Sequence, residues 1–256
     1  DAGATFEIQH SPVRQDLQGI KAWDFQRAVI VGNLGIVLIT DDGGGTWREG
    51  ENIPRSEIAN KLFKVTTLDG GRAYAVGVMG AIICTKDYGK TWSRTVEEQD
   101  VAWNDIVFVN DKQGWVVGEF GMIMHTRDGG QTWEEQETPT DSGLMSIEAV
   151  NEKFLRACGL EGTILSTMDG GATWDIQRLN TREHLLAFTH EDGAWVGVGT
   201  GGIVFTYEPD AGWKLKRLAP HELAWHTDMA KLARENYIIV GQTTGIWNKV
   251  EWKLLR

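Results

Sequence analysis

A chain of 256 residues with 31 glycines, 12 tryptophans and only 5 prolines has the makings of many short strands joined by tight turns. Its formal charge of −11 argues against general binding of nucleic acid or anionic membrane, which needs a positive field. No apolar run approaches the ~18 residues of a membrane-crossing helix, and two cysteines, Cys84 and Cys158 in different repeats, read as small buried hydrophobes rather than a disulfide framework.

In chain order, Asp1-Ala2-Gly3-Ala4 reads as the processed end left by a removed signal peptide, which predicts a place outside the cytoplasm, in a periplasm or lumen. Thr5-Phe6-Glu7-Ile8-Gln9 copies Thr173-Trp174-Asp175-Ile176-Gln177 and predicts an outer strand. A repeat then takes over. A Gly-x-x-Gly pair (Gly32/Gly35, Gly77/Gly80, Gly118/Gly121, Gly159/Gly162) is followed each time by Thr-x-Asp-x-Gly-x-Thr-Trp, at 40–47, 85–92, 126–133 and 167–174. The closing tryptophans lie 45, 41 and 41 residues apart. Weaker copies continue at Gly199/Gly202 with Trp213 and at Gly241/Gly245 with Trp252.

The third repeat is the clearest. Residues 105–109 alternate, 110–114 are turn formers, 115–118 and 122–126 are short apolar strands, and 128–130 turn the chain into 132–136. Four short strands in ~41 residues with hairpin chemistry at every corner predict one blade of an all-β propeller. Inner three-strand sets begin near Ile20, Val65, Ile106, Ile147, Leu186 and Met229, so six blades are predicted over a single domain, 1–256, with seven the alternative. Residues 246–254 read as one long third strand, leaving the N-terminal strand at Phe6 to complete the last blade and close the propeller. Helical periodicity is weak; the best stretch, 222–232, overlaps the innermost strand of repeat six.

Within each repeat, Asp42, Asp87, Asp128 and Asp169 are expected to accept backbone N–H bonds in the third-to-fourth-strand hairpin. The following glycine supplies a positive φ, the threonine before the tryptophan closes the turn, and Trp47, Trp92, Trp133 and Trp174 pack between neighbouring blades. Identical residues at equivalent points of a ring lie too far apart to converge on one substrate or one calcium ion. They read as scaffold.

The Thr-x-Asp-x-Gly-x-Thr-Trp motif resembles the Asp box, or BNR repeat, of sialidases and other propellers. The longer unit at 114–133 resembles the photosystem II stability/assembly-factor family of propellers, over most of residues 5–256. That resemblance implies a non-enzymatic assembly factor outside the cytoplasm, with a protein partner in a membrane-associated complex or beside a transporter, and no cofactor or metal. Members that bind photosystem precursors use a basic patch; here residues 213–256 hold eight Lys/Arg against four Asp/Glu, a basic sector on an otherwise acidic chain.

A ligand would meet the face carrying the fourth-to-first-strand connections and the second-to-third-strand turns. Candidate residues of that near-axis mouth are Lys64, Trp103, Asp105, Glu119, Phe120, Glu161, Trp225, His226 and Asp228. Two strand entries rhyme there, Ala102-Trp103-Asn104-Asp105 and Ala224-Trp225-His226-Thr227-Asp228. Aromatic groups beside carboxylates can bind sugars, cations or peptide side chains; the alternative is that the tryptophans wedge between blades and the aspartates cap strand ends. Glycoside hydrolysis needs two carboxyl groups ~5–9 Å apart, and Asp105, Glu119, Glu161 and Asp228 are the only set that could serve it. A sialidase's arginine triad and Arg-Ile-Pro signature are not recognisable, and no phosphate-cradling loop or nucleophile elbow occurs. The leading expectation is a non-catalytic, protein-binding propeller. The alternatives are a glycan-processing enzyme and a ligand-binding accessory of a transporter.

Overall fold

A computed structural model describes residues 5–191, 193–232 and 236–255; the expected processed end, residues 1–4, lies outside them. The fold is all-β, a propeller of six blades, each a four-stranded antiparallel sheet whose strands pair in sequence order. Blade one comprises Leu17–Ala22, Ala28–Gly32, Val37–Thr40 and Arg48–Glu49; blade two, Leu62–Leu68, Arg72–Gly77, Ile82–Thr85 and Ser93–Arg94. Blade three comprises Trp103–Phe108, Gly114–Gly118, Ile123–Thr126 and Glu134–Gln136; blade four, Leu144–Ala149, Leu155–Gly159, Thr163–Thr167 and Asp175–Arg178. Blade five comprises Leu185–Glu191, Ala194–Gly199, Ile203–Glu208 and Gly212–Arg217; blade six, His226–Lys231, Tyr237–Gly241, Gly245–Trp247 and Trp252–Leu254. Two compact units divide them: Ile8–Asp141 holds blades one to three, and the chain from Ser142 holds blades four to six.

The first glycine of each pair explains how a blade begins. A Cβ on Gly77 would overlap the carbonyl of Lys61, and one on Gly199 the carbonyl of His184. The same overlap recurs at Gly32, Gly118, Gly159 and Gly241. Each of these carbonyls accepts the N–H of the residue after the glycine, for example Val78 onto Lys61 at 3.0 Å and Thr200 onto His184 at 3.0 Å. The first strand consequently carries a β-bulge at its entry in every blade. Close backbone approach is what the missing side chain is for.

The second glycine lies in the turn to the third strand. Gly35, Gly80, Gly121, Gly162 and Gly202 all have φ between 63° and 71°, and the residue before each is left-handed too. Two successive left-handed residues make the tight hairpin whose twist matches the flanking strands.

Apolar strand residues fill the layers between blades. In the first unit, Val29, Val31, Val37 and Ile39 of blade one meet Val65, Ala75, Ile83 and Trp92 of blade two, and Tyr74, Val76 and Ile82 meet Trp103, Ile106 and Val116 of blade three. In the second, Cys158 and Ile164 of blade four meet Phe188, Trp195 and Phe205 of blade five, while Val196, Val198 and Val204 meet Met229, Tyr237 and Ile239 of blade six. Trp92, Trp133, Trp213 and Trp252 each pack on the preceding blade of their unit. Burying rings of this size contributes roughly 2–3 kcal/mol apiece. Blade one differs. Its Ile20 is 62 % exposed, whereas Val65, Ile106, Ile147, Phe188 and Met229, at the same register in the other blades, are 8 % exposed or less.

The last blade departs from the expectation. Residues 246–254 are not one strand: Gly245–Trp247 and Trp252–Leu254 are separate and pair with each other. The four-residue turn between them closes because the side-chain oxygen of Asn248 accepts the N–H groups of Val250 (3.0 Å) and Glu251 (2.6 Å). Blade six thus supplies its own outer strand. Residues 5–10 belong to no strand; Gln9 instead accepts the indole N–H of Trp47 at 3.1 Å. The inner strand of this blade falls where it was expected, at His226–Lys231 within 222–232.

Candidate functional site

The recurring aspartates are committed to their own hairpins. Asp128 accepts the Thr132 N–H at 2.9 Å and hydroxyl at 2.6 Å, and the Thr126 hydroxyl at 2.9 Å. Asp42, Asp87 and Asp169 repeat the arrangement within about 0.2 Å. Bonds from the threonines hold Asp42, Asp128 and Asp169 down at about 2. At Asp87 partial desolvation pushes upward, and the Thr91 hydroxyl and N–H outweigh it. The opening threonine carries a role that its place in the motif only hints at. Thr40, Thr85, Thr126 and Thr167 are 1–2 % exposed, and each accepts the N–H of the glycine four residues on at 2.8–3.0 Å while donating to the aspartate.

At the opposite, turn-bearing end of its blades, the unit Ile8–Asp141 holds five of the nine candidate residues. Trp103 is 1 % exposed and packs in the layer between blades two and three, the wedge alternative. Asp105 is 5 % exposed and accepts the Ile106 N–H at 2.8 Å. Lys64 is half-buried at the equivalent position of blade two. Glu119 accepts the Ala102 N–H at 2.9 Å, and Phe120 stands 66 % exposed at the turn tip with φ 58°.

In the second unit Glu161 occupies the tip position of blade four, exposed, with φ 51°. Its N–H donates to Nδ1 of His184 at 3.2 Å. Trp225 is 47 % exposed, His226 fully buried, and Asp228 accepts the Met229 N–H at 2.8 Å. The two rhyming entries are therefore offset. Trp103 pairs with Gly118, but the residue pairing with Gly241 is His226, not Trp225. Slipping by one residue sends a side chain to the other face: one tryptophan is core, the other surface. Only the aspartates correspond. Burial holds the His226 imidazole below its ordinary range; Nε2 meets the Thr243 hydroxyl at 3.0 Å and Nδ1 has no partner.

Beside Glu161 lies an open groove of about 650 Å³ lined by Arg178, Leu179, Asn180, Thr181 and Arg182. No motif of the sequence marks it: Arg178 has an equivalent in blade five, Arg217, which also pairs with the residue after the turn's second glycine. Arg178 is steadied by the Thr163 hydroxyl at 3.1 Å, and Arg182 is exposed. Two guanidiniums beside the polar side chains of Asn180 and Thr181 suit a carboxylate-bearing peptide segment. The basic C-terminal sector is largely spent internally: Lys214 pairs with Glu208, Lys231 with Glu191, Lys216 donates to the Lys249 carbonyl and lies over the Trp247 ring, and Arg217 donates to the Gly201 carbonyl. Among the described residues no three His, Cys, Asp or Glu side chains come together to hold a metal ion, and no helix is long and apolar enough to cross a membrane.

The family model described as photosynthesis system II assembly factor YCF48 matches residues 2–102 and 95–183. Among solved structures, one described as YCF48 bound to D1 peptide is similar at a TM-score of 0.76 and 18 % identity, covering 96 % of this chain and 84 % of that one. YCF48 from Cyanidioschyzon merolae is similar at 0.51 and 16 %, covering 91 % and 94 %. An ancestral GH74 enzyme shares the fold at 0.68 and 11 % identity, over 90 % of this chain but only 35 % of that one. No curated protein matches the sequence.

Proposed function

Because the chain belongs to the photosynthesis system II assembly factor YCF48 family, we propose that it is a non-catalytic, protein-binding propeller that supports assembly of a membrane-associated complex from outside the cytoplasm. The observation that carries the reading is the division of labour between faces. The repeated carboxylates are engaged by their own hairpins, and three of the four candidate carboxylates of the other face, Asp105, Glu119 and Asp228, hold backbone N–H groups at strand entries. A related structure carries a D1 peptide. By that analogy the arginine-lined groove of blade four receives an extended peptide, with Arg178 and Arg182 taking its carboxylate. The basic end of the chain contributes less than its charge count implies.

The test is a pull-down from detergent-solubilised native membranes with the intact protein and with Arg178→Ala/Arg182→Ala. Recovery of a membrane-complex subunit that falls at least fivefold in the variant supports the reading. Recovery of no such subunit, or equal recovery by both proteins, overturns it.

A further inference from the structure

The unit Ile8–Asp141 carries a second feature on its turn-bearing face. At the left-handed tip between the second and third strands stand Leu34 in blade one, Met79 in blade two and Phe120 in blade three, with φ of 58°, 57° and 58°. This backbone region disfavours every residue with a Cβ. At the same position blade five uses Gly201 at φ 62°, so the turn itself does not require a side chain. Nor do these side chains serve the core: Leu34 is 62 % and Phe120 66 % exposed, and Met79 is half-buried. Three strained positions in a row carry large apolar groups, two of them well exposed, a pattern that marks function more often than stability.

Carboxylates flank each tip. Beside Leu34, Asp16 accepts the side-chain N–H of Asn33 at 3.1 Å. Beside Met79, the segment bearing exposed Glu97 and Asp100 is bonded to the turn, Gly80 N–H onto the Val101 carbonyl at 2.7 Å. Beside Phe120 stands Glu119. Of the nearby cations, Arg94 is turned inward onto the Met79 and Val96 carbonyls, Lys61 lies over the Phe63 ring, and Arg55 sits against Gly35. Residues 8–141 hold 13 Lys/Arg against 20 Asp/Glu, a net of −7. Face-packed sheets lie ~10 Å apart, so three consecutive tips span about 20 Å.

We propose that this arc is a docking surface for a short cationic–apolar peptide segment of a partner protein, one that sets large apolar side chains between lysines or arginines. The apolar tips take the apolar side chains and the flanking carboxylates take the cations. It rests on the protein-binding reading above but uses different residues and the opposite charge preference from the arginine-lined groove.

The test uses fluorescence anisotropy with a labelled amphipathic peptide of leucine and lysine, and its leucine and glutamate counterpart as control. Glycine substitutions keep the folded state intact because they relieve the left-handed tips, so Leu34→Gly/Met79→Gly/Phe120→Gly should retain or raise the melting temperature while weakening leucine–lysine binding at least tenfold. The glutamate peptide should not bind, and Arg178→Ala/Arg182→Ala should leave leucine–lysine binding unchanged, which separates this surface from the groove. Leucine–lysine binding that is absent, or that survives the triple glycine variant, would sink the proposal.

Discussion

In blades one to four the hairpins at one end and the turns at the other are built on the same backbone device, two consecutive left-handed residues, yet they are filled by opposite rules. In the hairpins the sequence hardly varies: Gly43/Gly44, Gly129/Gly130 and Gly170/Gly171 take the positive φ, and a threonine–aspartate pair satisfies the polar groups. The exception among these four blades, Tyr88 at φ 59°, is held by an edge contact with Trp23 at 5.6 Å and by the Arg27 guanidinium 3.8 Å from its ring. In the turns the second residue is Leu, Met, Phe, Glu or Gly. A position that could be glycine throughout and is not has been released from scaffold duty. The difference teaches where to look for partners: geometry is preserved at both ends, chemistry only at one.

That contrast can be broken most severely where a glycine answers to close approach rather than to φ. Gly77→Val must drive a side chain into the Lys61 carbonyl and should cost about 3 kcal/mol or more; a urea midpoint unchanged from the parent would refute the bulge argument. Next comes acid. Burial, with Arg127 nearby, pushes the His125 imidazole down to about 4, where it stacks on Trp115 at 4.3 Å. Folded His125 stays neutral while the unfolded chain takes up a proton below its ordinary pKa. Stability present above pH 6.5 should therefore be lost as pH falls toward 4, by on the order of 2 kcal/mol, and level off below. Urea titrations between pH 7 and 4 should lose most of that slope in His125→Gln. The hairpin aspartates add a separate loss only between their ordinary range and pH 2.

Thr126→Val, nearly isosteric, should cost about 1–3 kcal/mol, because the buried Gly130 N–H loses its acceptor. An effect below the error of chemical denaturation would show the opening threonine to be dispensable. The smallest effect sharpens the comparison from the other side. Phe120→Gly removes a strained side chain without leaving a cavity and should stabilise by up to about 1 kcal/mol. A clear loss of stability would mean that Phe120 packs after all.

The architecture was legible because the blades restate it: glycine pairs mark the bulge and the turn in six inner sets, and the threonine–aspartate motif marks the hairpin in four of them. The misreading came where the repeat thins. Asn248 closes a turn of four residues by accepting two N–H groups, a device that the spacing between Gly245 and Trp252 disguises as an unbroken strand. Site residues were less legible, since a period of two makes side-chain direction hinge on a one-residue offset. Trp103 and Trp225 sit in matching strings and land on opposite faces. The groove at Arg178 and Arg182 escaped for a plainer reason: neither arginine belongs to the glycine or threonine–aspartate motifs that made the blades legible.

The contact of carbonyl on glycine ties the start of each sheet to its own second strand and asks nothing of an adjacent sheet. Alignment of the strands is thus decided within some forty neighbouring residues, a short loop to close. A gene assembled from such cassettes tolerates duplication or deletion of a whole one, because no cassette takes its internal alignment from the next. Sector number is then free to drift during descent, while the wiring inside a sector is not.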